Sequence, residues 1–478
     1  MTKTARPWFP IGVLALIAAA LAIGWTGFIA SDDSLYYTGA IHWLDAPPFA
    51  GDNHWSTRFP LMLTFAGVLA TMGRGMAAFG VTALLWYTAF VAIVALFARR
   101  MAGARAGWIA ALLVGTMPMV AVAGSIVGID LTEAVALIAG AWLLGEAAPG
   151  RAGLRQGVLA GLCFGLAILS RETAVLSLAG LTIVVLWGRP VRREVLIAAS
   201  IGIALVLGAE ALFQGIMTGH PLRRYDIAFH HDEHIDRAAN LEGNFLLHPA
   251  IDPLLVLLIN DDFGLLFWAL IAAGALAGRR LSKLAPSALV VLSAMAVTDF
   301  LLVAVLAHKL VLNPRYFTLP AVAAVLWVVL SLEHLSPRWR WAIVAALVAV
   351  NFGFLSLINR HPRWDVEALV IAAAQHPQDV IVADPVTVRR AAIPLNFAKL
   401  RNAAPGPATG LHLVEEGKAP ASWPIVDRYP SPPTVAGGVL RAIGLEAIVP
   451  GALRHRLFSP SPTMLLVRPP LASPPDRA

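Results

Sequence analysis

Charge is what this sequence has least of. Only 14% of its 478 residues are Asp, Glu, Lys or Arg, against 58% hydrophobic, and the mean hydropathy is +0.72. An ordinary soluble domain carries about a quarter charged residues. A water-soluble globular protein is therefore excluded and a polytopic membrane protein is left. Cysteine is nearly absent too: Cys163 stands alone in the apolar run GLCFGLAILS. No intrachain disulfide is possible, and cysteine gives no reading of the redox compartment. The formal charge of +7 and a pI near 9.9 could suit nucleic acid, but the cations sit in short clusters between apolar runs. That is a topology signal, and no nucleic-acid partner is expected.

A spanning helix needs about 20 apolar residues, with shorter ones tolerated. About eleven segments qualify, near residues 10–30, 76–98, 107–126, 131–148, 156–170, 173–188, 195–215, 263–278, 286–307, 317–333 and 341–358. Residues 59–73 are apolar but short, and charge bias decides how to read them. Laid in the interface, they put every strong cationic cluster on the cytoplasmic side: Lys3/Arg6, Arg99/Arg100/Arg105, Arg151/Arg155, Arg189/Arg192/Arg193, Arg279/Arg280/Lys283 and Arg338/Arg340. Positive loops belong inside. The first segment then reads as a retained anchor rather than a cleaved signal. The expected fold class is an all-α polytopic membrane protein with interfacial helices in the first outer loop and a small C-terminal non-cytoplasmic α/β domain. The domains are residues 1–359, with 31–75 as first outer loop, and 360–478. In the tail, DVIVAD (379–384) predicts a buried strand and VTVRRAAIPLNFAKL a helix. LEAIV and TMLLVR read as further strands, and the Pro-rich end as disordered. No internal repeat is evident, which weighs against an inverted-repeat transporter.

With this topology the unusual polar residues gather on the outer side. Asp32 and Asp33 end the first span, where an ionisable residue reads as functional by default. The bland alternative is that they cap the helix that follows. Tyr37, His54 and Arg58 come next in the same loop, and an arginine at headgroup level suits a phosphate. Asp130 opens the turn after the third span; with Glu133 it could equally form a capping-box-like start. Arg171 and Glu172 separate two apolar runs, either neutralising each other or lending Arg171 to an anion site. Asp262, after Asp261, precedes the eighth span, and Asp299 lies inside the ninth. Arg315 and Tyr316 sit at the outer end of the tenth, where a cation runs against the charge bias. His230 and His234, spaced i, i+4, are weak metal candidates in a polar loop that lacks the HExxH order.

The acidic pair, Arg58-Phe59-Pro60-Leu61 ahead of an apolar helix, Asp130, GLAILSRET (165–173) and the late RYFTLP (315–320) occur in an order that resembles a known family. It is that of the membrane-embedded GT-C-type glycosyltransferases, which take sugars from polyprenyl phosphates, such as the protein O-mannosyltransferases and the lipid A aminoarabinose transferases. The likeness covers most of residues 10–335. It implies an inverting hexosyl- or pentosyltransferase at the outer face of a bacterial inner membrane, with a polyprenyl-phosphate sugar donor and a lipid, glycan or protein acceptor. Asp33 would be the general base, Asp32 the helix cap, and Asp130 a positioning acid. Arg58, Arg315 and Arg171 would hold the lipid phosphate, with Tyr37, His54, Tyr316 and Asp262 as further substrate contacts. A divalent metal ion is the one cofactor left open. Where the aminoarabinose transferases carry an acid and a lysine, this chain has Thr57 and Arg58. The rival readings are a transporter or flippase of a lipid-linked glycan, which Asp299 would suit, and a non-catalytic envelope-assembly scaffold.

Overall fold

The computed structural model describes residues 8–187, 190–230, 247–248, 251–306, 312–406 and 409–470. Its helices run in chain order. They are α1 (Trp8–Ile23), α2 (Asp32–Asp45), α3 (Phe59–Met72), α4 (Met76–Ala102), α5 (Ala104–Thr116), α6 (Pro118–Ala123) and α7 (Asp130–Gly145). Then come α8 (Arg151–Ser170), α9 (Ala174–Trp187), α10 (Arg193–Thr218), α11 (Arg223–His230), α12 (Asp252–Ile259), α13 (Leu266–Leu284) and α14 (Ser287–Leu306). After these, α15 (Thr318–Leu332) and α16 (Pro337–Ser356) complete the bundle. Among the described residues six helical segments are long and apolar enough to cross a membrane: Met76–Ala102, Arg151–Ser170, Arg193–Thr218, Ser287–Val305, Pro314–Leu332 and Pro337–Ser356. The chain is a multi-pass membrane protein of largely helical fold with a small C-terminal sheet. Each of the eleven expected segments contains a helix, but the first, expected over 10–30, ends at Ile23, and residues 107–126 are not one rod. Pro118 has no N–H to continue the ladder, so α5 stops at Thr116 and α6 begins at the proline.

Helix packing uses small residues where backbones meet. Gly153, Gly157, Gly161 and Gly165 recur every fourth residue along α8, giving it one smooth stripe. A Cβ at Gly157, Gly161 or Gly202 would strike a main-chain carbonyl of the facing helix, from Val195, Ala199 and Val158 respectively. In hydrocarbon, where apolar burial adds no driving force between helices, such contact is what holds them. Polar groups inside the bundle are matched: Tyr87 Oη donates to the Gly115 carbonyl (2.7 Å), and Asn351 Nδ2 to Thr116 Oγ1 (3.2 Å).

The C-terminal region carries β1 (Ile381–Ala383), β2 (Ala403–Pro405), β3 (Leu411–Glu415), β4 (Ile425–Tyr429) and β5 (Met464–Val467). They form a mixed sheet ordered β2-β1-β3-β5-β4, parallel for β2-β1-β3 and antiparallel beyond. Helices α17 (Trp364–Gln375) and α18 (Pro385–Phe397) follow the bundle, and α19 (Val435–Ala442) and α20 (Gly451–Phe458) lie between β4 and β5. A buried core joins Trp364, Leu369 and Leu395 to Ile381, Leu411 and Leu466. Both DVIVAD and TMLLVR form strands as expected. LEAIV does not: Glu446–Ile448 is a 3₁₀ turn, and Ile448 is 73% exposed. The sheet edges are already β2 and β4, so no strand position remains for it. The end of the tail, 471–478, lies outside the described residues.

This region docks on the end of the bundle that carries the first loop. Arg360 Nε donates to the Trp25 carbonyl (3.0 Å), Arg456 pairs with Asp261, and the rings of Phe397 and Tyr37 meet edge-on at 5.6 Å.

Candidate active site

The first loop begins with a strained turn. Ala30 lies at φ +52, the left-handed region that costs a residue with a Cβ roughly 1–2 kcal/mol. The Asp33 carboxylate bridges it: Oδ2 accepts from Ile29 N–H (2.7 Å), and Oδ1 from Ser31 and Ser34 N–H (2.7 and 2.9 Å). Asp33 is 1% exposed. Burial pushes its carboxyl up to about 6, against the downward pull of the three amides. Asp33 thus braces the backbone of this turn, whereas the expectation from sequence assigned the holding of the helix start to Asp32. Asp32 is about a third exposed, and its Oδ2 lies 3.5 Å from Arg315 Nη1.

Asp32, Asp33, Asp130, Asp262 and Arg315 line one cavity of about 460 Å³. Four segments remote in sequence meet there: the start of α2, the start of α7, the 3₁₀ turn Asp261–Phe263 and the turn Pro314–Phe317. Burial, then Asp261, pushes the Asp262 carboxyl up to about 6. A smaller adjoining pocket shares Asp130 and Arg315 and adds Glu133, Arg171, Asp299 and Tyr316.

Arg171 is the hub of that pocket. Its Nη1 lies 2.7 Å from Asp130 Oδ1 and 3.6 Å from Glu133 Oε2, and its guanidinium sits over the Tyr316 ring at 4.5 Å. All three charged side chains are at most 14% exposed. Asp130 is the first residue of α7 and makes no cap bond, so the capping-box reading gives way to an ion pair. Arg171 and Glu172 do not neutralise each other either. Glu172 pairs instead with Arg224 (2.8 Å), a fully buried arginine whose Nη2 also donates to the Ile168 carbonyl (2.6 Å). Asp299 accepts from Ser177 Oγ (2.9 Å).

Arg58 stands apart. It is 7% exposed, with Nη1 donating to Tyr36 Oη and Nη2 against His54 Nε2. Among the described residues no carboxylate lies within ion-pair distance of it. Burial pushes the Tyr36 hydroxyl up to about 12, keeping it a neutral partner for the arginine. Tyr36, not Tyr37, is thus the tyrosine that meets Arg58, and neither of the two lines the cavity. Tyr37 instead stacks on Phe79 (5.4 Å) and meets Phe397, in the seam with the C-terminal region. His230 is turned back on its own helix, with Nδ1 2.7 Å from the Asp226 carbonyl oxygen, and His234 lies outside the described residues. Among the described residues no cluster of three His, Cys, Asp or Glu could hold a metal. Most of the cavity acids already have cations or amides: Asp130 and Glu133 face Arg171, Asp32 faces Arg315, and Asp33 holds three N–H groups, which leaves Asp262 as a single carboxylate without a cation among the described residues. That donor set does not fit a resident metal, and no step is derived through one.

The sequence carried no direct signal for Tyr36 or Arg224. The polar pairing of Arg224 with Glu172 crosses 52 positions, and only packing brings the two together.

Similarity searches bear on this arrangement. A family profile described as dolichyl-phosphate-mannose-protein mannosyltransferase matches residues 51–213. Among solved structures, apo ArnT from Cupriavidus metallidurans superposes with a TM-score of 0.59 at 14% identity, covering 88% of this chain and 95% of that one. The chain has the ArnT-like GT-C fold. ArnT from the same organism bound to undecaprenyl phosphate gives a TM-score of 0.56 at 16% identity, covering 82% and 70% of the two chains. No curated protein matches by sequence. The resemblance to GT-C polyprenyl-phosphate-sugar-dependent glycosyltransferases, first carried by short motifs, is thus supported by a family profile and by the fold.

Proposed function

We propose that this GT-C-fold chain is a glycosyltransferase. It moves a sugar from a polyprenyl-phosphate donor to a lipid, glycan or protein acceptor at the outer, periplasmic face of a bacterial inner membrane. The observation that carries this reading is the charged cavity at the end of the bundle, where an open carboxylate, Asp32, stands beside Arg315.

Asp32 takes the proton of the acceptor hydroxyl or amine, because it is the member of the acidic pair whose carboxylate is not spent on the backbone. The acceptor's lone pair forms the new bond to the anomeric carbon while the bond from that carbon to the phosphate oxygen breaks. Attack from the opposite side gives inversion. The departing polyprenyl phosphate gains negative charge, and Arg58 is the cation left to receive it, since Arg171 already balances two acids. Arg315 serves both sides, standing beside Asp32 and adding positive charge to the cavity. Asp33 and Arg171 act as positioning residues. Asp299, which suited a translocation path, hydrogen-bonds Ser177 in the same pocket as Arg171.

The test is transfer from a polyprenyl-phosphate sugar in isolated membranes. Asp32→Asn is expected to lower kcat about 10²–10⁴-fold, the usual worth of a positioned base, with unchanged expression. Arg58→Gln is expected to reduce kcat and weaken donor binding together. Wild-type turnover in both Asp32→Asn and Asp130→Asn proteins would remove the site from this cavity.

A further inference from the structure

A second sizeable cavity lies outside the bundle. A cleft of about 640 Å³ opens at the carboxyl ends of the parallel strands in the C-terminal region. Its floor is Ala383 and Asp384 at the end of β1, Gly406 just past β2, and Val414 and Glu415 at the end of β3. Strand β1 has parallel partners on both sides. In open α/β sheets the crevice outside the carboxyl ends, where chains diverge to opposite edges, is where ligands bind.

Three cations, Arg363, Arg390 and Lys418, and three acids, Asp365, Asp384 and Glu415, line this cleft. Its acids are occupied. Asp365 Oδ2 accepts from Thr387 Oγ1 (2.7 Å), Asp384 caps α18 through the Val386 N–H (2.9 Å), and Glu415 pairs with Lys418 (2.7 Å). Two cations in the lining, Arg363 and Arg390, have neither a guanidinium hydrogen bond nor an ion pair among the described residues, and both are half-buried. Burial, then the nearby Arg363, draws Arg390 below its ordinary value, while Asp365 and Asp384 act the other way. Two planar forks lining one cleft suit an oxyanion that accepts several hydrogen bonds.

We infer that the C-terminal cleft is a second binding site, which takes a phosphate group borne on a sugar or on a lipid headgroup through Arg363 and Arg390. The site is distinct from the cavity of the bundle and does not depend on it for chemistry.

The experiment uses the full-length protein in nanodiscs of neutral phosphatidylcholine, titrated calorimetrically with glucose 1-phosphate and, separately, glucose. Glucose 1-phosphate is expected to bind and glucose not to. Arg363→Gln/Arg390→Gln is expected to weaken binding at least tenfold, and Arg363→Lys/Arg390→Lys to restore part of it. Repeating the titration in phosphatidylglycerol nanodiscs separates the sources. Competition by the anionic bilayer identifies a lipid headgroup, and undiminished binding a sugar phosphate. Absence of binding to the wild-type protein, or equal binding by the double glutamine variant, would overturn the inference. No donor is present in the titration, so its failure leaves the proposed transfer untouched. An inactive Asp32→Asn protein is still expected to bind glucose 1-phosphate at this cleft.

Discussion

The two ends of the helical bundle spend their charges in opposite ways. At the end rich in arginine, cations serve helix termini and pairs in which the arginine itself reaches solvent: Arg100 Nε meets Glu146 at 2.9 Å with the arginine 69% exposed, the half-exposed Arg105 pairs with Glu333, and Arg192 donates to the Ala148 carbonyl. Arg340 donates to the Leu332 carbonyl (2.9 Å) and to those of Glu333 and Leu335 (3.1 Å each), closing the end of α15. Cations at helix C-termini are favourable at modest cost, and exposed pairs are worth little. At the other end Arg171, Asp130 and Glu133 are desolvated together. A buried pair recovers its desolvation cost only with good geometry, and removing one partner is severe. The first arrangement holds an orientation; the second holds a site.

The largest break in this contrast is expected from Arg171→Met. Two acids would be left buried without their cation, at a cost of about 3–5 kcal/mol, read as a lowered thermal midpoint in detergent and lost transfer. A shift no larger than that of an exposed variant would show the two ends to be energetically alike.

The pH dependence sharpens the contrast next. Asp33 and Asp262 have carboxyls near 6 in the folded chain. Below that pH each takes up a proton, Asp33 loses acceptor capacity for the amides around Ala30, and transfer is expected to fall roughly tenfold per unit, following the ionised fraction. The sign for stability is opposite. A carboxyl whose folded value is raised favours the fold below its ordinary value near 4, a contribution lost as pH rises through about 6. Transfer should therefore decline from pH 7 to 5 with no fall in thermal midpoint caused by these two groups. A midpoint that drops in step with activity would refute this account. The Asp33→Asn protein tests it further, since it should lose the acid limb together with much of its activity.

The smallest effect is expected at the opposite end. Arg100→Ala should change stability by no more than about 0.5 kcal/mol and leave kcat unchanged, measured by the same melt and transfer assay.

The positions of the apolar helices and the gathering of Asp32, Asp130, Arg171, Asp262 and Arg315 at one end were legible in sequence, because hydropathy and cation clusters are linear properties of a chain in a membrane. Partner choice was not. Whether Asp32 or Asp33 faces open space depends on the reversed turn at Ala30, and whether Tyr36 or Tyr37 meets Arg58 depends on the rotation of α2. In the C-terminal region, β1 and β5 showed as apolar runs, whereas β2 is only three residues long and β4 is largely exposed, too little pattern for a period of two to register. The sequence by itself thus determined a multi-pass membrane chain and where its charges lie along it. Tertiary structure alone decided which charges touch: Asp130 with Arg171 across 41 residues, and Asp32 from early in the chain with Arg315 from late in it. The physical reason is that solvent preference acts on each residue separately, while an ion pair requires two backbones already held in place by packing.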